Sequence, residues 1–440
     1  MPNYQDAAIR YARHYLNVLS AIDILYLQGG ESIVPALEFF DTEWANIRLA
    51  QAWVASNVQE NEAIARLCNR YPDAGAYCLE LRQPPQERIN WLEGALNASR
   101  ILNNRTAEGI HNGNLGNAYA ALGNARRAIK FHEQHLMIAR ELRDQHGVGA
   151  ALGNLANAYD ELGEPNRAID LYKQYLAIAR GQNDRRREGI ALGNLGNAYR
   201  MLGELQRAIE HYEQRLSIAR ELGDIRGEGI ALGNLGGTYQ ELGNIVRAID
   251  YHRQRLFIAR KLRDKRGEAI TLGNLAGAHV AQARPQEAIA VCEQSLMLAR
   301  ELGDRRTESI TLSTMGQAYV ALKDISQAIR CYELALLIAR ELEDQRSEGT
   351  TLANLGNAYS VLGDRKQAIA FYNLRLANTR QRSDRHGEAN VLWNMSLEFD
   401  MDSDRVQAVA LAQAALKIFE QLADPNVKLV QKQLAEWGIL

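Results

Sequence analysis

An all-α solenoid of tandem helix pairs is the fold class the sequence predicts, on three observations. The first is a fixed step. Tyr119, Tyr159, Tyr199 and Tyr239 stand 40 residues apart, and the slot continues as His279, Tyr319, Tyr359 and Phe399. An alanine slot, Ala128 to Ala408, keeps the same step over eight units without insertion or deletion. The second is apolar residues at helical spacing inside each unit, as in Ala208, Ile209, Tyr212, Leu216 and Ala219. The third is composition: only eight prolines in 440 residues, with abundant Ala, Leu, Arg and Glu. A period of this size means stacked supersecondary units that bury their apolar faces on one another.

Each unit resolves into two helices, here called A and B. In the third unit Asp184 can cap helix A, and Glu188 in its first turn suits the positive end of the helix dipole. Helix A runs to about Leu202, and Gly203 is a good residue for the left-handed exit. Helix B is expected from about Leu205 to Leu222, where Gly223-Asp224 ends it and caps the next unit. Short loops make the two antiparallel. Three segments follow: a helical N-terminal region with a degenerate leading repeat over 1–104, eight repeats over 105–424, and a capping helix over 425–440. In the leading repeat Ile89, Trp91, Leu96 and Arg100 fall where Ile129, Phe131, Leu136 and Arg140 fall. At the far end Trp437 is placed to hide the open face of the stack.

Charge and composition exclude several functions. The net charge is −2, so nothing supplies the basic stripe that nucleic-acid phosphates require. No apolar run is long enough to span a membrane, and no cleavable leader is expected. Cys68, Cys78, Cys292 and Cys331 form no C-x-x-C pair, which predicts neither zinc nor disulfides and fits a reduced cytoplasmic setting. No cofactor is implied.

The pattern Leu192…Leu195-Gly196…Tyr199…Gly203…Ala208…Tyr212 resembles the tetratricopeptide repeat. The 40-residue step and the words LGN and IAREL are similar to the LGN/Partner-of-Inscuteable and kinesin-light-chain branch. That resemblance implies a right-handed superhelix with A helices lining its concave side and asparagines there holding peptide ligands. In the N-terminal region Glu43, Asn46, Ile47, Arg48, Ala50 and Trp53 resemble the wording that leads into the tetratricopeptide sensor of STAND/NB-ARC signal-transduction ATPases. No G-x-x-x-x-G-K-[ST] phosphate loop accompanies it, so the sequence looks like the sensor without the motor, either free-standing or a piece of a larger protein.

Numbering helix A so that Leu195 is position 7 and Tyr199 position 11 separates its faces. Positions 4, 7, 8 and 11 form the side against helix B, and Gly196 at position 8 admits a close approach. Positions 2, 5, 6, 9 and 13 are assigned to the opposite side, which is nearly uncharged. Position 2 is mostly Ile, from Ile110 and Ile190 to Ile230, Ile270 and Ile310, and is expected to pack under the preceding helix B. Position 5 is mostly glycine, read as room for a ligand strand. Position 6 carries Asn114, Asn154, Asn194, Asn234, Asn274 and Asn354; position 9 carries Asn117, Asn157, Asn197, Gln317 and Asn357. An asparagine offers one acceptor and two donors, the set that pairs with an extended peptide backbone whatever its side chains. The alternative is that these amides bond neighbouring repeats.

Positions 12 and 13 change along the array. Asp160-Glu161, Arg200-Met201 and Gln240-Glu241 give way to Val280-Ala281, Val320-Ala321 and Ser360-Val361. A ligand joining a basic stretch to an aliphatic one would suit that gradient. Basic residues are missing from positions 2, 5 and 6, so the two-carboxylate clamp of chaperone-binding relatives is not expected. His132 and Cys292 fill the slot that Tyr172 and Tyr212 fill elsewhere, which favours packing over metal binding or nucleophilic chemistry. The repeated arginines of IAR, with D-x-R-x-E, are read as an ion-pair lattice between repeats on the outer face. The sequence therefore predicts a binding protein rather than an enzyme: a scaffold or sensor holding a protein segment or peptide, or the sensor half of a STAND-type ATPase. Self-association through repeat ends is a further expectation, since near-identical units can pair out of register.

Overall fold

The computed structural model describes residues 4–401 and 404–439. Its secondary structure is helical, with 22 α-helices and one short 3-10 turn and, among the described residues, no strand. The chain forms two compact units, Met1–Leu222 and Gly223–Leu440.

In the first unit four helices build a head: α1 (Tyr4–Leu27), α2 (Ile33–Ser56), α3 (Glu62–Ala74) and α4 (Ala76–Arg82). Their core holds Leu16, Ile22, Phe40, Ile47, Ile64 and Tyr71, all closed to solvent. The Tyr71 hydroxyl donates to the Ala12 carbonyl at 2.7 Å, and Asp23 Oδ1 accepts from the Cys78 backbone N–H at 2.9 Å. Of the sensor-like residues, Ile47 and Ala50 are buried and Arg48 pairs with Glu87 at 2.7 Å. Next comes α5 (Pro85–Ile101), with Ile89, Trp91 and Leu96 buried, the register expected of a leading helix B.

Three A/B pairs follow in this unit: α6 (Arg105–Ala121) with α7 (Ala125–Glu141), α8 (Gln145–Glu161) with α9 (Pro165–Gly181), and α10 (Arg185–Met201) with α11 (Leu205–Glu221). The second unit has five pairs: α12 (Ile225–Glu241) with α13 (Ile245–Lys261), α14 (Lys265–Ala281) with α15 (Pro285–Glu301), α16 (Arg305–Ala321) with α17 (Ile325–Glu341), α18 (Gln345–Leu362) with α19 (Arg365–Gln381), and α20 (Arg385–Met401) with α21 (Arg405–Gln421). Then comes α22 (Val427–Glu436), whose Val430 and Leu434 are buried. Trp437 packs with that cluster, donates from Nε1 to Asp400 at 3.2 Å and lies under Arg405.

The connectors among the described residues share one backbone form. One residue takes the left-handed conformation, such as Gly203 (φ 76°), Arg143 (φ 56°) or Lys323 (φ 63°). After α6 the Asn124 N–H bonds the Tyr119 carbonyl at 2.9 Å and Gly123 N–H bonds Ala120 at 2.8 Å, closing the exposed carbonyls of the helix end. In most of them the next residue caps the following helix: Asp184 Oδ1 accepts from the Arg187 N–H at 3.0 Å, and Asp224 does the same for Gly227 at 2.9 Å, whereas Glu164, Glu204 and Arg284 make no side-chain cap.

The ion-pair lattice is present, and its first-turn carboxylates, such as Glu188 and Glu308, lie inside. Glu188 is 6% exposed and sits between Arg180 of the preceding helix B (2.8 Å) and Arg185 of its own helix (2.5 Å). Arg185 also reaches Glu221. Burial pushes the Glu188 carboxyl up, and the two guanidinium groups more than offset this, holding it below the usual carboxylate range. Glu308 is buried between Arg300 and Arg305 in the same way. Glu188→Gln is expected to lower stability by about 1 to 2 kcal/mol, because it removes charge-assisted bonds from a desolvated site. Urea denaturation checks this; an unchanged midpoint would show the lattice to be ornamental.

Candidate binding surface on the A helices

The two glycines of the recurring GNLGNAY segment both face helix B. A Cβ on Gly196 would lie 2.5 Å from the Tyr212 ring, and one on Gly236 the same distance from the His252 ring. This is the expected close approach at position 8. Position 5 differs from expectation. Gly193 is buried, and a Cβ there would run into the Arg215 side chain, 2.8 Å from its Cδ. Gly233 stands the same way over Arg255 and Gly113 over His135, while a Cβ on Gly153 would meet the Tyr175 ring at 3.5 Å, an ordinary contact. At 100° per residue, position 5 turns well away from position 6 and onto the flank facing helix B. The missing side chain makes room for a large residue of the same repeat. Arg255 uses that room to donate to the Gly229 carbonyl at 2.7 Å and to Thr271 of the next helix A at 2.9 Å. The room at position 5 is thus filled by the protein itself and not left for a ligand.

The isoleucines at position 2 also depart from expectation. Ile110, Ile190, Ile230, Ile270 and Ile310 are 37–50% exposed and are not closed off beneath a helix B. Positions 2, 6, 9 and 13 then form one open stripe along each helix A: Ile190, Asn194, Asn197 and Met201 in α10. Sequence reasoning missed the isoleucines as surface residues. The available signal was their spacing of four from the position 6 asparagines.

The asparagines lie on this stripe, half-buried at most position 6 sites, with Asn274 exposed, and exposed at most position 9 sites. They are tied to the repeats and to each other. In the first unit Tyr172 Oη donates to Asn157 Oδ1 at 2.6 Å, and Asn194 Nδ2 of the next repeat donates to the same oxygen at 3.3 Å. In the second unit Asn357 Oδ1 accepts from Tyr372 Oη at 2.7 Å and from Asn394 Nδ2 at 3.2 Å. Tyr212 holds Asn197 at 2.7 Å, and Asn354 reaches Ser313 at 3.3 Å. Asn114, Asn117, Asn154, Asn234 and Asn274 occupy the same stripe positions, as does exposed Gln317. The Tyr172 hydroxyl also lies 3.1 Å from Asp160, whose carboxyl burial pushes up against the pull of that bond. Glu161 is exposed, Arg200 half-buried, and Gln240 crosses Gly277 of the following repeat. Between α16 and α18 the stripe dips into a cavity of about 360 Å³ lined by Ile310, Thr314, Gln317 and Thr350.

Packing accounts for the other chemistry-bearing groups. All four cysteines are buried and free, and burial pushes the Cys292 thiol up to about 12, which removes it as a nucleophile at neutral pH. His132 and His252 are closed to solvent in the tyrosine slot.

The tetratricopeptide repeat family model matches residues 106–181, 187–261, 227–301, 267–341 and 307–381. The chain belongs to the tetratricopeptide repeat family. Three solved structures show what this tetratricopeptide chain is similar to. A STAND protein with a tetratricopeptide repeat sensor from Pyrococcus horikoshii matches at 15% identity and TM-score 0.58, over 96% of this chain and 64% of its own. A Rap protein complexed with competence and sporulation factor matches at 16% identity and TM-score 0.50, over 75% of this chain and 99% of its own. Kinesin-light-chain repeats from Podospora anserina match at 26% identity over 43% of this chain and 94% of theirs, with TM-score 0.39. No curated protein matches the chain. No helix among the described residues is long and apolar enough to cross a membrane.

Proposed function

We propose that this tetratricopeptide protein acts by binding, without chemistry of its own, and that its ligand is a protein segment or peptide laid along the A-helix stripe within a unit. The observation that carries this reading is the pairing of asparagines between successive repeats. Asn157 Oδ1 is taken by a tyrosine and by Asn194, so its amide plane is held and its Nδ2 donors remain. Asn194 uses Nδ2 in that bond and keeps its Oδ1. A donor and an acceptor thus stand side by side with little freedom left to lose. That is the complement of one peptide unit's carbonyl and N–H, and prior orientation lowers the entropy lost on binding. Asn357 and Asn394 repeat the arrangement. The exposed isoleucines alternate with these polar pairs and offer apolar contact to ligand side chains. The Rap structure, which carries a bound factor, supports a ligand role for arrays of this fold.

The test uses the immobilised full chain and a pool of randomised octapeptides. Asn157→Ala with Asn194→Ala is expected to cut retention about tenfold, the loss of roughly one good hydrogen-bonding pair. The melting temperature should shift by only a few degrees, because Tyr172 keeps Asp160 as an acceptor. Unchanged retention would remove the stripe from consideration.

A second reading is the sensor half of a STAND-type ATPase. It is favoured by the N-terminal head, where Ile47 and Ala50 of the sensor-like wording are buried and Arg48 pairs with Glu87, and by the match to the Pyrococcus protein over nearly the whole chain. Co-purification with a nucleotide-binding ATPase from the native host would support it.

A further inference from the structure

At the start of the array a cavity of about 550 Å³ opens between the head and the first repeat. Its lining combines groups of opposite need. Asp73 and Glu80 are acceptors with no ion-pair partner among the described residues; Arg88 is a donor in the same position. Gln83 is 7% exposed, lines the cavity, and its Nε2 has no hydrogen-bond partner. A buried amide donor without an acceptor is costly unless a ligand supplies one. Asn114 and Asn117, the first members of the asparagine stripe, form the opposite wall. The cavity is therefore continuous with the proposed peptide track and stands at its head.

We propose that this cavity takes the free amino end of the bound peptide. The α-ammonium pairs with Asp73 and Glu80, the first carbonyl accepts from Gln83 Nε2 and Arg88, and the chain leaves past Asn114 and Asn117. The assignment rests on the peptide reading above. An ammonium ion beside a carbonyl uses two carboxylates and two donors together. A peptide carboxylate would satisfy Arg88 and Gln83 but would be repelled by the acids. Asp73 is exposed toward the cavity, and partial desolvation raises its carboxyl above the ordinary range, against the pull of nearby His111. A cation in the cavity relieves that state.

The experiment compares two lysine- and arginine-free octapeptide pools on the immobilised full chain, one with free amino ends and one acetylated, both amidated at the other end. The wild type is expected to retain the free pool at least about tenfold better, the scale of one charge-assisted hydrogen bond. Gln83→Leu and Glu80→Gln should each bring the ratio toward one; Glu80 is exposed, so its variant folds even if the buried change disturbs packing. Equal retention of both pools by the wild type, lost in the Asn157→Ala/Asn194→Ala variant, would overturn the cavity assignment and leave the stripe standing. Retention of neither pool would overturn both. An acetylated pool carrying one lysine, retained as well as the free pool, would assign the cavity to a side-chain ammonium and overturn the terminal assignment.

Discussion

The stability of this protein is expected to fall steeply between pH 6.5 and about 4. His132 and His252 are fully buried in the slot that tyrosine fills in other repeats, and burial lowers both to about 4, helped by His135 beside the first and Arg255 beside the second. The folded value lies below the unfolded value of 6.5, so the folded protein binds fewer protons in that window. Stability is then full above pH 6.5, is lost as pH falls toward 4, and changes no further below it on their account. Each histidine contributes about 3 kcal/mol to this loss by linkage. Urea midpoints across that range measure it. His132→Tyr should remove its share and stabilise the protein at neutral pH, because a tyrosine there can donate to Asn117 as Tyr172 does to Asn157. An unchanged acid slope in that variant would show that these histidines are not the acid-sensitive groups.

Gly196→Val is expected to destabilise the protein by about 3 kcal/mol, and Gly193→Val by only about 1. The two glycines share one sequence word and one helix flank, but they meet different neighbours. Gly196 lies on the buried ring of Tyr212, which has no room to move. Repeat two places Ala156 against the equivalent Tyr172, so one methyl is tolerated; a branched side chain is not. Gly193 lies under Arg215, a long chain that can swing aside. Urea denaturation of both variants decides the matter, and the reverse order would mean that the faces have been assigned wrongly.

That contrast shows how much was legible beforehand. Repeat length, helix order, the capping aspartates and the glycine exits were readable, because each depends on residues close in sequence. Helix ends fell within about one residue of expectation. The role of Gly196 was readable because the tyrosine opposite it recurs in a fixed slot. Gly193 was not, because the residue over it changes from His135 to Tyr175 to Arg215 to Arg255 and shows no pattern to the eye. The isoleucines were misplaced for a different reason: an apolar residue normally argues for burial, and only the positions of neighbouring helices reveal that this side stays open. The asparagine partnerships lie 37 residues apart, across a repeat boundary, where no local rule reaches.

The uniform connectors carry a consequence for how such a protein changes over generations. Each described turn uses one left-handed residue, most are followed by a side-chain cap, and each repeat presents the same residue slots to the next. Recombination that removes or duplicates 120 nucleotides in phase would therefore rejoin chemically matching surfaces. Array length becomes a heritable variable that can be altered in a single genetic event, without new packing having to be found. Tyr172, Asn157 and Asn194 show the limit of that freedom, since an amide fixed by two repeats loses its orientation when the wrong neighbour arrives. Lineages could lengthen or shorten the array readily, while the asparagine pairs would be inherited two repeats at a time.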